Sequence, residues 1–407
     1  MKLTGKAFIQ GRLVQAAVSA ENGIITAVEE LSGRHGGDYI LPGLVDVHTH
    51  GGFGADFTES SVEEICAALE QFARAGVTSV MATTSTAKKE ELLAAAGRIA
   101  DAAQESGRSG RGARILGINM EGPFFGEKKR GAQPAELLCG PDAEFTESFI
   151  AASRNLVRMI CFDPLLEGSE EFCRRFSGKY VMSIAHTACT RARAQQALGW
   201  GARWLTHAFN GMEPMYSREP GPLSAALDGM CGIELIGDGC HVHPFWLRTL
   251  FELAPSRIAL ISDSTEALGM PDGNYILGGR PVIKKDGLMY TPEGALAGSA
   301  HTLSENLKCL VDSGVPPVLA VASATENPAR MLSLPAGELK VGAKADILLC
   351  SRDMTVKQVL LSGRELLFQF FIVNRLCRVY TVIFVIYIGE LDINAVRCRV
   401  IYARVGL

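Results

Sequence analysis

The chain has 407 residues, 47% hydrophobic and 21% charged, with a formal net charge of -4. That composition is ordinary for a globular protein with room for one large α/β domain and a smaller one, and without a basic block or arginine–aromatic stripe it offers nucleic acid no footing. Met1-Lys2-Leu3-Thr4-Gly5 lacks the apolar core of a signal peptide and the eleven cysteines are scattered without a C-x-x-C pair, so a reducing, cytoplasmic setting with buried thiols is expected.

The first forty residues read as short strands and turns. Segments 6–9, 12–14 and 23–28 are β-rich, and Asn22-Gly23 offers a hairpin turn. They are too few to bury a core alone. Segments 345–349 and 356–364 have the same character, so residues 1–41 and 345–365 are expected to build one small β-sandwich domain from both chain ends. The central part, 42–344, is then a separate body.

That part opens on Leu41-Pro42-Gly43-Leu44-Val45-Asp46-Val47-His48-Thr49-His50-Gly51-Gly52. A Pro-Gly turn feeds an apolar run of strand length, and alternation along a strand puts His48 and His50 on the same side. An amphipathic stretch over 62–75, stopped by Gly76, predicts a helix; 77–83 predicts a strand and 88–104 an alanine-rich helix. Further strand-like runs end at Glu121, Cys161, His186, His207, Asp238 and Asp263. Eight such strands separated by helix-length connections predict a parallel (β/α)8, TIM-like barrel.

In a barrel of this kind the active site lies at the C-terminal ends of the strands. His48, His50, Glu121, His186, His207, Asp238 and Asp263 all fall there, with His241 just beyond. Any one of them reads as a polar cap; together they imply a cluster. Imidazoles and carboxylates without thiolates suit Zn, Fe, Mn or Co in a catalytic site and do not suit a closed structural zinc.

The local motifs carry a resemblance. Pro42 to Gly51, Met120-Glu121-Gly122-Pro123-Phe124, Arg130-Gly131-Ala132-Gln133-Pro134 and Ala185-His186-Thr187 are followed by Thr206-His207-Ala208-Phe209-Asn210-Gly211-Met212 and Arg218-Glu219-Pro220-Gly221. Asp238-Gly239-Cys240-His241, Ser262-Asp263-Ser264 and Leu296-Ala297-Gly298-Ser299 complete the set. Taken in order over about 41 to 330, the chain resembles the amidohydrolase superfamily and, within it, the N-acetylglucosamine-6-phosphate deacetylase family. Small departures are Gly211, where alanine is common, and Phe209, where tyrosine is common.

The resemblance implies roles position by position. Glu121, His186 and His207 match the main metal ligands, and His48 and His50 match a second pair that only some members possess, so one or two divalent ions are expected per subunit. Asp263 matches the residue that activates the attacking water, a sensible task for a carboxylate next to a metal site. Arg218 matches a phosphate-binding residue, in keeping with guanidinium geometry. Ala132, Gln133, Asn210, Gly211, His241, Leu296, Ala297 and Gly298 match substrate-lining positions. The expected reaction is hydrolysis of the N-acetyl group of N-acetylglucosamine 6-phosphate to acetate and glucosamine 6-phosphate, in amino-sugar catabolism. The same chemistry on N-acetylgalactosamine 6-phosphate or another N-acyl compound is an alternative. The resemblance also implies a homodimer in which the neighbouring subunit helps bind phosphate. A non-catalytic barrel kept as a scaffold would be favoured by loss of a ligand or of Asp263, and neither is lost. His35, His243 and His301 match nothing and read as structural, His301 near the pocket rim. Segment 274–290 reads as a hairpin inserted after the eighth strand.

Beyond Arg364 the resemblance stops. Residues 366–407 form an atypical β-prone tail, with 368–373 and 379–388 the most strand-like. The second run falls short of the ~20 apolar residues that a spanning helix needs, so no membrane partner is expected. Its abrupt change of composition fits a shifted reading frame as well as it fits extra strands. Expressed as written, it is an aggregation hazard.

Overall fold

The computed structural model describes residues 1–33, 38–366, 372–374 and 381–383. Eight parallel strands form the central sheet: Leu44–Thr49, Val77–Thr84, Arg114–Met120, Val157–Phe162, Val181–Ile184, Trp204–Leu205, Gly232–Ile236 and Ile258–Ile261, each paired with the next in chain order. The eighth closes on the first where the strands end: the Asp263 N–H donates to the His48 carbonyl at 2.9 Å and the His50 N–H to the Ser264 carbonyl at 2.8 Å. The barrel expected from the strand-like runs is therefore present.

A helix follows every strand: Val62–Arg74, Lys89–Ser109, Ala143–Ala152, Ser169–Phe176, Arg191–Trp200, Gly221–Asp228, Pro244–Leu253 and Leu303–Asp312. The first begins at a capping box in which the Ser61 side chain and Glu64 each accept the other's backbone N–H. It stops before Gly76, whose φ of 93° suits a residue without a Cβ. Val45, Val47, Met81, Met159, Trp204, Ile236 and Ile261 from the barrel strands pack as one buried cluster, joined by Ala329 of the helix Glu326–Met331 and by Leu332 and Leu334 just after it. Burying a side chain of this size contributes about 1.5–3 kcal/mol. The packed interior fixes the strand ends against one another, which a multi-strand site requires.

Strands from both chain ends form a single seven-stranded mixed sheet, in the order Arg364–Leu366, Val356–Leu361, Ile347–Cys350, Tyr39–Pro42, Lys2–Ile9, Arg12–Glu21, Ile24–Glu30. Ala7, Ala16, Val18, Ile25, Ile40, Ile347 and Leu360 make its buried face. Asn22 and Gly23, both at positive φ, turn the second strand into the third.

Between the eighth strand and its helix the expected hairpin is larger than the sequence suggested. Gly273–Leu277, Arg280–Lys285, Leu288–Tyr290 and Leu296–Ser299 form a four-stranded antiparallel sheet with its own apolar cluster of Leu277, Val282, Met289 and Ala297. Its last strand is short and half-exposed, which hides it from pattern reading. Residues 366–407 form a second unit, in which Ile372–Asn374 pairs antiparallel with Thr381–Ile383. The remaining readings made for that tail, and His35, lie outside the described residues.

Candidate active site

Five of the eight strand ends deliver one or two side chains each to a common centre. His48 and His50 close the first strand, Glu121 follows the third, His186 the fifth, His207 the sixth and Asp263 the eighth; all are buried. Three of them sit in the left-handed region, His186 at φ 43°, His207 at 27° and Asp263 at 50°. Such backbone costs on the order of 1–3 kcal/mol per residue and persists only where the surroundings enforce it. Here it turns side chains from the strand ends toward the barrel axis.

The four imidazoles are oriented alike. His48 Nδ1 lies 2.8 Å from Glu234 Oε2, His50 Nδ1 3.0 Å from Ser85 Oγ, His186 Nδ1 2.9 Å from the Lys129 carbonyl and His207 Nδ1 3.1 Å from the Asn210 carbonyl. A carbonyl or carboxylate oxygen only accepts, so the rings of His48, His186 and His207 donate through Nδ1 and turn Nε2 inward. There His186 Nε2 and His207 Nε2 lie 3.2 Å apart, each 3.1 Å from Glu121 Oε1. Glu121 Oε2 lies 3.1 Å from His50 Nε2, and Asp263 Oδ1 stands 3.4 Å from His48 Nε2 and 3.5 Å from His50 Nε2.

Acceptors thus face acceptors. With Nδ1 carrying the proton, the His186 and His207 lone pairs point at each other and at a carboxylate, an arrangement that needs positive charge at its centre. His48 Nε2 is likewise buried without a hydrogen-bond partner. Two sets of three ligand atoms, Glu121/His186/His207 and His48/His50/Asp263, each lie within 4.8 Å of one another. These residues fit one or two divalent cations, with the second ring nitrogen of each histidine already held as metal-ligating histidines require.

The electrostatics agree. Burial alone would raise Glu121, but the positive charge that His48 takes up when no cation is bound, and the close contacts with His186 and His207, outweigh it and hold the carboxyl well below its ordinary range. Asp263 is held low against burial by the hydrogen bond from His50 and the charges of His48 and His207. Burial pulls His50 down, yet Asp263 and Glu121 lift it to about 9; His48 and His207 are raised in the same sense. The site is built to carry positive charge.

Nearly all the residues expected around the substrate face one cavity. Ala132, Gln133, Asn210, Gly211, His241, Leu296, Ala297 and Gly298 line it together with His50, Glu121, His186, His207 and Asp263. Gln133 donates to Glu121 Oε2 at 3.3 Å and accepts from the Thr86 N–H at 2.9 Å. At Gly211, φ 56°, a Cβ would stand 2.9 Å from His186 Nδ1, so glycine lets this loop lie against the ring. Arg218 is not among the lining residues; it is exposed on the loop between the sixth strand and its helix. Asp238 does not join the metal-ligand sets. Its Oδ2 accepts from His241 Nδ1 at 2.6 Å and its Oδ1 from the His241 and Cys240 N–H groups at 2.8 Å. His243 caps the helix Pro244–Leu253 by accepting from the Phe245 N–H, and His301 is outside the cavity lining.

Sequence reasoning missed Glu234, Ser85, Gly131 and Leu277. Glu234 carried a signal, a lone carboxylate inside the apolar run Gly232–Ile236. The others, a serine after a strand, a loop glycine and an apolar residue of the added sheet, carried none.

Residues 39–366 match the model of the amidohydrolase family. The chain is 34% identical over 363 residues to the N-acetylgalactosamine-6-phosphate deacetylase of Escherichia coli O157:H7, covering 87% of this chain and 96% of that one. It is also 34% identical over 357 residues to the N-acetylglucosamine-6-phosphate deacetylase of Vibrio furnissii, covering 84% and 88%. Among solved structures, an aspartate-to-alanine variant of N-acetyl-D-glucosamine-6-phosphate deacetylase from Mycobacterium smegmatis, in complex with N-acetyl-D-glucosamine 6-phosphate, superposes with a TM-score of 0.83 at 30% identity. That match covers 90% of this chain and 98% of that one.

Proposed function

The chain belongs to the amidohydrolase family, and we propose that it hydrolyses the N-acetyl group of N-acetylglucosamine 6-phosphate to acetate and glucosamine 6-phosphate. The observation that carries this reading is the meeting of His186 Nε2, His207 Nε2 and Glu121 Oε1 within 3.2 Å of one another, on the floor of a cavity lined by the expected substrate positions.

In this reading Glu121, His186 and His207 hold one divalent cation, Zn, Fe, Mn or Co, and His48, His50 and Asp263 offer a second position. The bound cation supplies Lewis acidity toward the acetyl carbonyl and lowers the pKa of water. Asp263 accepts the proton of the attacking water as the new C–O bond is made and then gives it to the amide nitrogen, so that the C–N bond breaks with a neutral amine leaving. Gln133, held by the Thr86 N–H, steadies Glu121. Asp238 fixes the His241 ring through Nδ1, leaving Nε2 for the substrate. Ala132, Asn210, Gly211, Leu296, Ala297 and Gly298 shape the sugar site, and Arg218 engages the phosphate.

The proposal extends to a homodimer and a cytoplasmic setting. Supporting the latter, nine cysteines among the described residues are free thiols, as a reducing compartment keeps them. No described helix is long and apolar enough to cross a membrane. A second substrate reading, N-acetylgalactosamine 6-phosphate, is favoured by the likeness to the Escherichia coli protein. Parallel kcat/KM measurements on the two epimers test the choice: preference for the glucosamine compound upholds the first reading, and preference for the other replaces it.

A further inference from the structure

Glu234 has no part in the proposed chemistry, yet three hydrogen-bond donors hold its carboxylate. Glu234 stands in the middle of the seventh barrel strand with its side chain fully buried. Its Oε2 accepts from His48 Nδ1 at 2.8 Å and from the His207 backbone N–H at 3.1 Å, and its Oε1 accepts from Trp204 Nε1 at 2.7 Å. Three donors from the first and sixth strands therefore converge on one acceptor-only group.

A carboxylate is costly to bury, and an apolar residue would suit the run Gly-Ile-Glu-Leu-Ile better if packing were all that mattered. Anchoring Trp204 in the barrel interior accounts for one of the three bonds. The other two go to residues of the cation site, and to different ligand sets: His48 belongs with His50 and Asp263, His207 with Glu121 and His186. His48 Nε2, the ring atom across from the Glu234 bond, is buried without a hydrogen-bond partner.

We propose that Glu234 is a positioning residue that makes the second cation position usable. By accepting from His48 Nδ1 it keeps the proton on that nitrogen and leaves Nε2 as a lone pair aimed at Asp263 and Glu121. By accepting from the His207 N–H with the same oxygen it holds the two ligand sets in register. The inference rests on the two-position reading given under the proposed function, and concerns binding of the ion rather than the chemical step.

Glu234→Gln tests it. A glutamine amide has one accepting and one donating end, while the site offers N–H donors on both sides. With the amide oxygen toward Trp204, its NH2 confronts His48 and His207 and drives the His48 proton to Nε2, where it blocks ligation; turned round, its NH2 confronts Trp204. Trp204→Phe removes the second conflict, so the double variant can turn its oxygen to His48.

Full-length protein stripped of metal and titrated with Zn2+ should take up two equivalents per chain. In Glu234→Gln the second equivalent should bind about 10–100-fold more weakly, the usual effect of losing an outer-sphere partner, and the first should weaken by clearly less, since only the His207 backbone N–H is disturbed there. Glu234→Gln/Trp204→Phe should recover the second equivalent, and 15N spectra should show the His48 proton on Nδ1 in parent and double variant. An unaltered second equivalent in Glu234→Gln, or no recovery in the double variant, would overturn the proposal. So would equal weakening of both equivalents with a lowered Tm of the metal-free protein, the mark of a merely structural residue. Uptake of a single ion by the parent would instead defeat the two-position reading itself.

Discussion

His186 Nε2 lies 3.2 Å from His207 Nε2, and both rings use their other nitrogen on a backbone carbonyl. Two imidazole lone pairs brought this close require a cation between them. Replacing His207 by Asn, or Glu121 by Gln, should lower the metal-to-protein ratio by one and abolish acetate release, while circular dichroism remains that of the parent. A variant that keeps full metal content would remove this set as the ligand group.

Asp263 belongs to the ligand set of His48 and His50, 3.4 and 3.5 Å from their Nε2 atoms, and is held as a carboxylate. Asp263→Asn should keep the ion at Glu121, His186 and His207 yet lower kcat by about 10²–10⁴-fold, the usual worth of a positioned general base. KM should change little. Turnover within tenfold of the parent would mean that another group takes the proton.

Arg218 is exposed on the loop after the sixth strand and is not among the residues lining the cavity. Its removal should therefore act on binding and not on chemistry. Arg218→Ala is expected to raise KM for the phosphorylated sugar by about tenfold, equivalent to ~1.4 kcal/mol, and to leave the slow reaction of the unphosphorylated sugar untouched. Equal losses on both sugars would argue that the residue does not recognise phosphate.

The Asp238–His241 pair gives a pH dependence. Burial pushes the Asp238 carboxyl up, but the hydrogen bond and charge of His241, with the N–H groups of His241 and Cys240, outweigh it and hold the carboxyl below its ordinary range. A folded pKa below the unfolded one gives stability that is complete above the unfolded value and lost as pH falls through the folded one. The Tm difference between parent and Asp238→Asn should accordingly shrink as pH drops below about 4. A difference that stays constant down to pH 2 would show that the pair does not titrate this way.

The barrel and its buried cluster of histidines and carboxylates were legible because both obey simple periodicities. Strands buried on both faces read as apolar runs, and a polar residue at the end of each is conspicuous against them; Glu121, His186, His207 and Asp263 stood out for that reason. Residues acting from inside a strand or a loop were not. Glu234 shows only as a lone carboxylate in an apolar run, with nothing to name its partners, Ser85 follows a strand as any serine might, and the carbonyls of Lys129 and Asn210 belong to backbone that residue types do not reveal. The four-stranded sheet after the eighth strand was read as a hairpin because Leu296–Ser299 is short and carries a glycine at positive φ. Its role is visible only once folding brings Leu277 and Ala297 against the cavity.

The most direct test of the account is acetate release from N-acetylglucosamine 6-phosphate by the purified full chain, before chelation, after it, and after restoring Zn2+. The account predicts rapid release, its loss on chelation and its return with the ion, with only slow release from the unphosphorylated sugar. Release that survives complete removal of metal would contradict it, as would metal-loaded, folded protein that releases no acetate from either phosphorylated epimer.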